Sequence, residues 1–211
     1  MKKLILIIVS SIVLCSCKDK DNHWELNLNV KEDLGMSNLS GVEVKLQGKK
    51  LSSGVYSDVW TDITSAATDG SGNANLHFER DSYAALQLEV MRSQYFTEIV
   101  ALNPDDFQVG DVLQRQTIMT PMSSVLVYLK TTDVSASIDL QVFSSHPQCN
   151  CDDMGVFHVD GLEELSKTCF APGGGRYLKY QINSNGPSGP LQYFDSLYIE
   201  PFVQNTLDYI Y

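Results

Sequence analysis

The chain has 211 residues, 43% apolar, 9% aromatic and 19% charged, with a mean hydropathy of −0.12. These are the proportions of a folded, water-facing body, not of a disordered or multi-span membrane chain. Fifteen Lys and Arg stand against 26 Asp and Glu, a net charge of −11 with no basic stripe to break it, so nucleic acid is excluded as a partner.

Met1-Lys2-Lys3 is a short cationic start, and Leu4 to Leu14 is an apolar run interrupted only by Ser10 and Ser11. That run is about half the length of a bilayer-crossing helix, so residues 1–16 read as a cleaved signal peptide. It ends in Leu14-Cys15-Ser16-Cys17, which resembles the bacterial lipobox. The resemblance implies cleavage before Cys17, a diacylglyceryl group on its sulfur and acylation of the freed amine. At roughly 0.8 kcal/mol per buried methylene, three acyl chains anchor firmly where one holds only marginally. Residues 17–22 then form a lipidated tether. Lys18-Asp19-Lys20-Asp21 resembles the Lys/Asp-rich tag that sends some Gram-negative lipoproteins to the outer face of the outer membrane.

From Trp24 onward the apolar residues recur with period two, the pattern of strands with one buried face. Trp24, Leu26, Leu28 and Val30 alternate with polar neighbours, as do Val42, Val44 and Leu46. Further strands are predicted at Val55–Trp60, Asn73–Phe78, Ala84–Met91, Tyr95–Leu102 and Leu113–Met119, separated by turn-forming residues. Many short strands without intervening amphipathic helices predict a sandwich or barrel. Gly41-Val42-Glu43-Val44-Lys45-Leu46 and Thr68-Asp69-Gly70-Ser71-Gly72-Asn73-Ala74-Asn75-Leu76 resemble the second strand and following turn of the transthyretin-like, carboxypeptidase regulatory-type domain. That resemblance spans about residues 23–119 and implies a β-sandwich used as a spacer, docking or binding module, without catalytic residues of its own.

Thr120-Pro121 is read as a boundary, because proline removes a ladder donor and restricts the residue before it. A second sandwich-like domain is expected over 120–211, with strands at Val125–Lys130, Ile138–Phe143, Arg176–Ile182, Tyr193–Ile199 and Thr206–Tyr211. The last places Leu207, Tyr209 and Tyr211 on one face, so the C-terminal segment is expected to be a paired strand. Asp160-Gly161-Leu162-Glu163 has the form of a capping box, and Leu162, Leu165 and Cys169 make an apolar stripe, which predicts a two-turn helix stopped by Pro172 and Gly173. It would sit in a loop excursion from Ser144 to Gly175. The expected fold is thus all-β, two tandem β-sandwiches of transthyretin-like or Ig-like kind after a signal peptide, with one short helix in a cysteine-containing loop.

Cys149, Cys151 and Cys169 all lie in that excursion, with His146 and His158. Outside the cytoplasm the first reading is a disulfide from Cys149 or Cys151 to Cys169, stabilising by roughly 3 kcal/mol and leaving one thiol over. A sharper alternative is a tetrahedral metal site from His146, Cys149, Cys151 and Cys169, with His158 in place of one of them; buried unpaired thiols are the third. Asp69-Gly70-Ser71-Gly72-Asn73 starts like a calcium loop, but Ala74 and Arg80 stand where the turn glycine and bidentate acid belong, so a plain turn is expected. Asp152-Asp153 with Asp160 read as a solvated acidic patch, and the glycine and proline runs at 172–176 and 185–190 as turns.

Nucleophile elbow, zinc-protease helix, P-loop and dinucleotide fingerprint are all missing from the sequence, so neither catalytic residues nor a cofactor is expected. Trp24, Trp60, Tyr177, Tyr180, Tyr193 and Tyr198 could stack on sugar rings, with core packing the simpler role of each. The leading expectation is a non-enzymatic lipoprotein of the cell envelope, held to the membrane through Cys17 and serving as a binding or assembly accessory with a protein or glycan partner. The alternative is an adhesin or pilus-associated subunit that docks by strand addition.

Overall fold

The computed structural model describes residues 22–52, 55–108, 110–144 and 146–211. The signal peptide, the lipobox with Cys17 and the Lys18–Asp21 run lie outside the described residues. The strands are β1 (His23–Glu32), β2 (Glu43–Ser52), β3 (Val55–Tyr56), β4 (Thr61–Ala67), β5 (Asn73–Glu79), β6 (Tyr83–Met91), β7 (Glu98–Leu102) and β8 (Val112–Met119), then β9 (Met122–Lys130), β10 (Ser137–Phe143), β11 (Val156–Asp160), β12 (Glu164–Pro172), β13 (Arg176–Asn185), β14 (Leu191–Ile199) and β15 (Gln204–Ile210). A single 3-10 turn at Pro104–Asp106 is the only helical element among the described residues.

The first eight strands make two sheets, β5-β1-β8 and β3-β2-β6-β7 with β4 also on β2. Their inner faces share one core. Trp24, Leu26, Leu28 and Val30 of β1 and Val42, Val44 and Leu46 beside and within β2 are buried, as their alternation predicts. Leu26 stands opposite Leu76 of β5 and Leu113 of β8. A slip of one residue would turn the whole apolar set to solvent, so the burial pattern fixes the register. At the β4–β5 connection Asp69 Oδ1 accepts hydrogen bonds from the Ser71 and Asn73 amides at 2.8 and 2.9 Å. Gly72, at φ +75°, passes so close to the Val30 carbonyl that a Cβ would lie 2.8 Å from it. The motif that opens like a calcium loop is therefore a side-chain-closed turn.

The remaining strands make a second pair of sheets, β11-β10-β13-β14 and β12-β9-β15, around their own core. β15 runs parallel to β9, with Leu207 opposite Val127, so the C-terminal segment is a paired strand. The architecture is all-β, two β-sandwiches in tandem.

The two bodies meet through more than the Thr120-Pro121 link. The Met122 amide donates to the Gln94 carbonyl at 2.8 Å and the Phe96 amide to the Thr120 carbonyl at 3.1 Å. Gln148 Nε2 donates to the Thr97 carbonyl at 2.6 Å, and Arg176 pairs with Asp33. Tyr95 packs on Phe202 with ring centroids 5.3 Å apart. Its hydroxyl donates to Glu32 at 2.6 Å, and burial together with Glu32 pushes that phenol up to about 12. A side chain at Gly174 would collide with Leu34 across the junction.

Three expectations are corrected. The two-turn helix after Asp160 does not form: Glu164–Pro172 is β12, paired with β9 at nine consecutive positions. A two-turn helix is too short to sustain itself, whereas β9 supplies a full ladder and a core that takes up Cys169 and Ala171. Asp160 Oδ1 accepts instead from the Gly161 amide at 3.0 Å, with Gly161 at φ +63° turning the chain. The excursion from Ser144 to Gly175 is consequently not one loop but contains the strands β11 and β12. Within Val55–Trp60 only Val55–Tyr56 is strand, and the polar stretch Thr61–Ala67, read as a connection, is β4.

Candidate functional site

The cysteines resolve into a disulfide and a thiol. Cys151, in the turn after β10, is bonded to Cys169 of β12, with Cα atoms 5.1 Å apart. Cys149 is free and buried. The Asn150 amide donates to the Phe170 carbonyl at 3.1 Å, and the Phe170 amide to Asn150 Oδ1 at 2.6 Å, so covalent and hydrogen bonds pin the turn to β12 together. This corrects the metal alternative: two of the three thiolates it needs are consumed in the disulfide. His146 lies at the junction, its ring 5.4 Å from that of Phe96, with Nδ1 accepting from the Gln148 amide at 3.3 Å. Burial and the neighbouring Arg176 push it below the usual histidine value, against a smaller opposing effect of Asp33. His158 is distant in role: it stands exposed on β11 opposite Asp139, 2.6 Å from that carboxylate, whose hydrogen bond raises it. Among the described residues no group of three or more His, Cys, Asp or Glu is arranged to take a metal ion.

The aromatic residues separate more sharply. Trp24 is buried, whereas Tyr177, Tyr193 and Tyr198 are exposed, and all seven large exposed aromatic side chains among the described residues belong to the second sandwich. They concentrate on β13 and β14. The outward face of that sheet carries Tyr177 opposite Tyr198, their rings edge to face at 5.3 Å. Lys179 with Ser196 and Gln181 with Phe194 follow along the same face.

β14 ends its sheet, since β13 is its sole partner among the described residues. Its first six residues are exposed on both faces, and it has neither Lys, Arg nor Pro. Edges are usually blunted by such residues, and the other edges of this sandwich carry them or charge: Asp160 on β11, Lys167 on β12, Asp208 on β15. The one charge on β14 is Asp195, exposed on the same parity as Tyr193, where the Tyr193 hydroxyl donates to it at 2.6 Å and that of Tyr180 at 3.4 Å. The Tyr193 bond, then the Ser196 amide, lowers this carboxylate below its ordinary range.

Sequence reasoning named Tyr177, Tyr193 and Tyr198 but missed Phe143, Phe194, Leu191 and Lys179. A signal was present. Leu191, Tyr193 and Leu197 occupy one parity of β14, and Phe194 and Tyr198 the other. In a two-layer sandwich only one face of a strand can meet the core, so a strand apolar on both must leave one in water.

The residues thus define a tandem β-sandwich protein with an aromatic outer face and an exposed edge strand, β14, that has no Lys, Arg or Pro. No family model and no curated protein matches the chain. Among solved structures it is similar to the Bacillus anthracis TIE protein, with 11% identity over 88% of this chain and 34% of that one, at a TM-score of 0.37. The Streptococcal ancillary pilin gives 10% identity over 90% and 62%, at 0.35. The shaft pilin SpaA from Lactobacillus rhamnosus GG gives 11% over 87% and 96%, at 0.34. The chain spans about a third of the first of these and under two thirds of the second.

Proposed function

We propose that the chain is a lipid-anchored, non-enzymatic subunit of a bacterial cell-surface assembly, a pilus-associated or adhesive one, which joins its partner by strand addition along β14. In this reading residues 1–16 are removed, Cys17 carries the acyl chains, and residues 17–22 form the tether. Residues 23–119 serve as a spacer of the transthyretin-like kind, and residues 120–211 present the edge. A strand added to an exposed edge gains affinity from main-chain hydrogen bonds and specificity from alternate side-chain pockets. The observation that carries the proposal is β14 itself, unpaired on one side among the described residues and solvent-exposed on both faces over six residues, with Leu191 and Tyr193 on one face and Phe194 on the other.

A photo-crosslinking residue placed at Phe194 in intact cells tests the docking, with the same group at Thr206 on β15 as control. Adducts of defined size from position 194 and none from 206 are expected, and Phe194→Lys should abolish docking while changing stability by no more than about 0.5 kcal/mol. Equal labelling from both positions, or none from either, would overturn it. The anchor is tested separately: Cys17→Ser should move the chain from the membrane pellet to the soluble fraction, and a variant that still pellets like wild type refutes lipidation.

A further inference from the structure

At the end of the C-terminal sandwich next to the junction, a cleft of about 570 Å³ opens between β10, β12 and β13. Among its lining side chains are Phe143, Ser144, His146, Arg176, Tyr177 and Lys179. The composition of this lining runs against that of the chain. In a protein with 26 acidic and 15 basic residues, the cleft has two cations, a histidine and no carboxylate on its wall.

The donors are available. Lys179 makes no ion pair among the described residues and lies opposite Phe143 across the β10–β13 ladder. Arg176 uses part of its guanidinium on Asp33, which leaves further N–H groups of its fork for another acceptor. His146 accepts at Nδ1, so its neutral tautomer has the proton on Nε2. Beside the donors stand two aromatic faces, Tyr177 at 63% exposure and Phe143 at 42%.

A site rich in donors and cations with flat apolar walls fits a ligand that is anionic and has one broad C–H face. Inorganic phosphate would leave the aromatic rings unused, and a neutral hexose would offer the cations no opposite charge. We propose that this cleft binds a carboxylated sugar of the uronic or sialic acid class, its ring stacked on Tyr177 and its carboxylate held by Lys179, two residues along the same face of β13. Charge-assisted contacts to the carboxylate fix orientation, and the aromatic wall supplies the contact area.

The test uses the purified full-length chain and D-glucuronate as probe, followed by saturation-transfer NMR and calorimetry, with glucose and acetate at matched ionic strength. Saturable glucuronate binding is expected, with glucose and acetate each weaker by about tenfold or more. Lys179→Gln should weaken glucuronate by about fivefold and leave glucose unchanged, as loss of one partly solvated charge contact does. Tyr177→Ala should weaken both sugars, and Tyr177→Phe should restore them, which separates stacking from misfolding. Acetate competing as well as glucuronate would reduce the cleft to a simple anion site and overturn the proposal. So would the absence of saturable glucuronate binding, or an unchanged response in Lys179→Gln.

Discussion

In the N-terminal sandwich Trp24, Phe78 and Phe107 stack together inside the core, with ring centroids 5.1 to 5.9 Å apart. In the C-terminal sandwich Phe157 is the one fully buried aromatic of the core, which otherwise consists of aliphatic side chains such as Leu129, Ile138, Leu140, Ile182 and Ile199 together with the three cysteines, while Tyr177, Tyr193, Phe194 and Tyr198 face water. Each large apolar side chain left outside forgoes on the order of 1.5–3 kcal/mol of burial. The second body gives up that stabilisation along β13 and β14 and has a disulfide that the first lacks among the described residues. The comparison separates a module that buries its aromatic side chains from one that leaves them in water and has its core cross-linked by a disulfide.

The strongest way to break that comparison is Trp24→Ala. It removes the ring that touches Phe78, Phe107 and Tyr83, with an expected loss of about 3–5 kcal/mol. Scanning calorimetry should show the lower-numbered sandwich unfolding earlier while the transition of the other stays in place. Equal displacement of both transitions would mean that the junction makes one cooperative unit of them, and the contrast would fail as a contrast of modules.

The disulfide gives the next effect. Cys151 and Cys169 are 18 residues apart in sequence, and removing such a cross-link costs about 3 kcal/mol in the chain-entropy picture. Cys151→Ala with Cys169→Ala, or reduction under mild denaturant, should lower only the C-terminal transition. Retention of wild-type stability would show that the β9–β12 ladder alone holds the turn, and that this core does not depend on its cross-link.

What the sequence made legible follows the same division. Where one face of a strand is buried and the other wet, as in β1 and β2, period-two alternation revealed strand and core together. It failed where the signal was of another kind. β4 (Thr61–Ala67) is polar and only partly buried, so nothing in its pattern marks a face; its pairing with β2 across a register shift makes it a strand. β12 contained a helix-like stripe, and tertiary pairing with β9 overrode it. Of the candidate site, the tyrosines were visible as residue types, but Tyr177 and Tyr198 are exposed because they stand on the outward face of their sheet, and which face is outward depends on where the opposite sheet lies, a topological fact that local pattern does not encode.

The smallest effect sharpens the comparison at the junction, where acid should act on the second sandwich in two directions. His146 is pushed below 6.5 by burial and by Arg176, so the folded protein binds fewer protons there than the unfolded chain. Its contribution is whole above the unfolded value and is lost as pH falls from 6.5 through the lower folded value. Protonation also takes the Nδ1 lone pair that receives the Gln148 amide, and it places a second cation beside Arg176 against Phe96. His158 has the opposite sign: Asp139 raises it above 6.5, so its contribution is present below the unfolded value and is lost as pH rises through the folded one. That pair is solvent-exposed and screened, so the His146 effect should dominate. Wild type should therefore lose C-terminal transition temperature between about pH 7.5 and about pH 5.5, and His146→Gln, which keeps an acceptor but cannot be charged, should lose less. His158→Gln should steepen the acid loss of the wild type, because it deletes the one histidine that gains on acidification. If His146→Gln follows the wild-type curve across that window, the junction does not feel the charge on this ring, and the acid response of the second sandwich must be traced to its carboxylates instead.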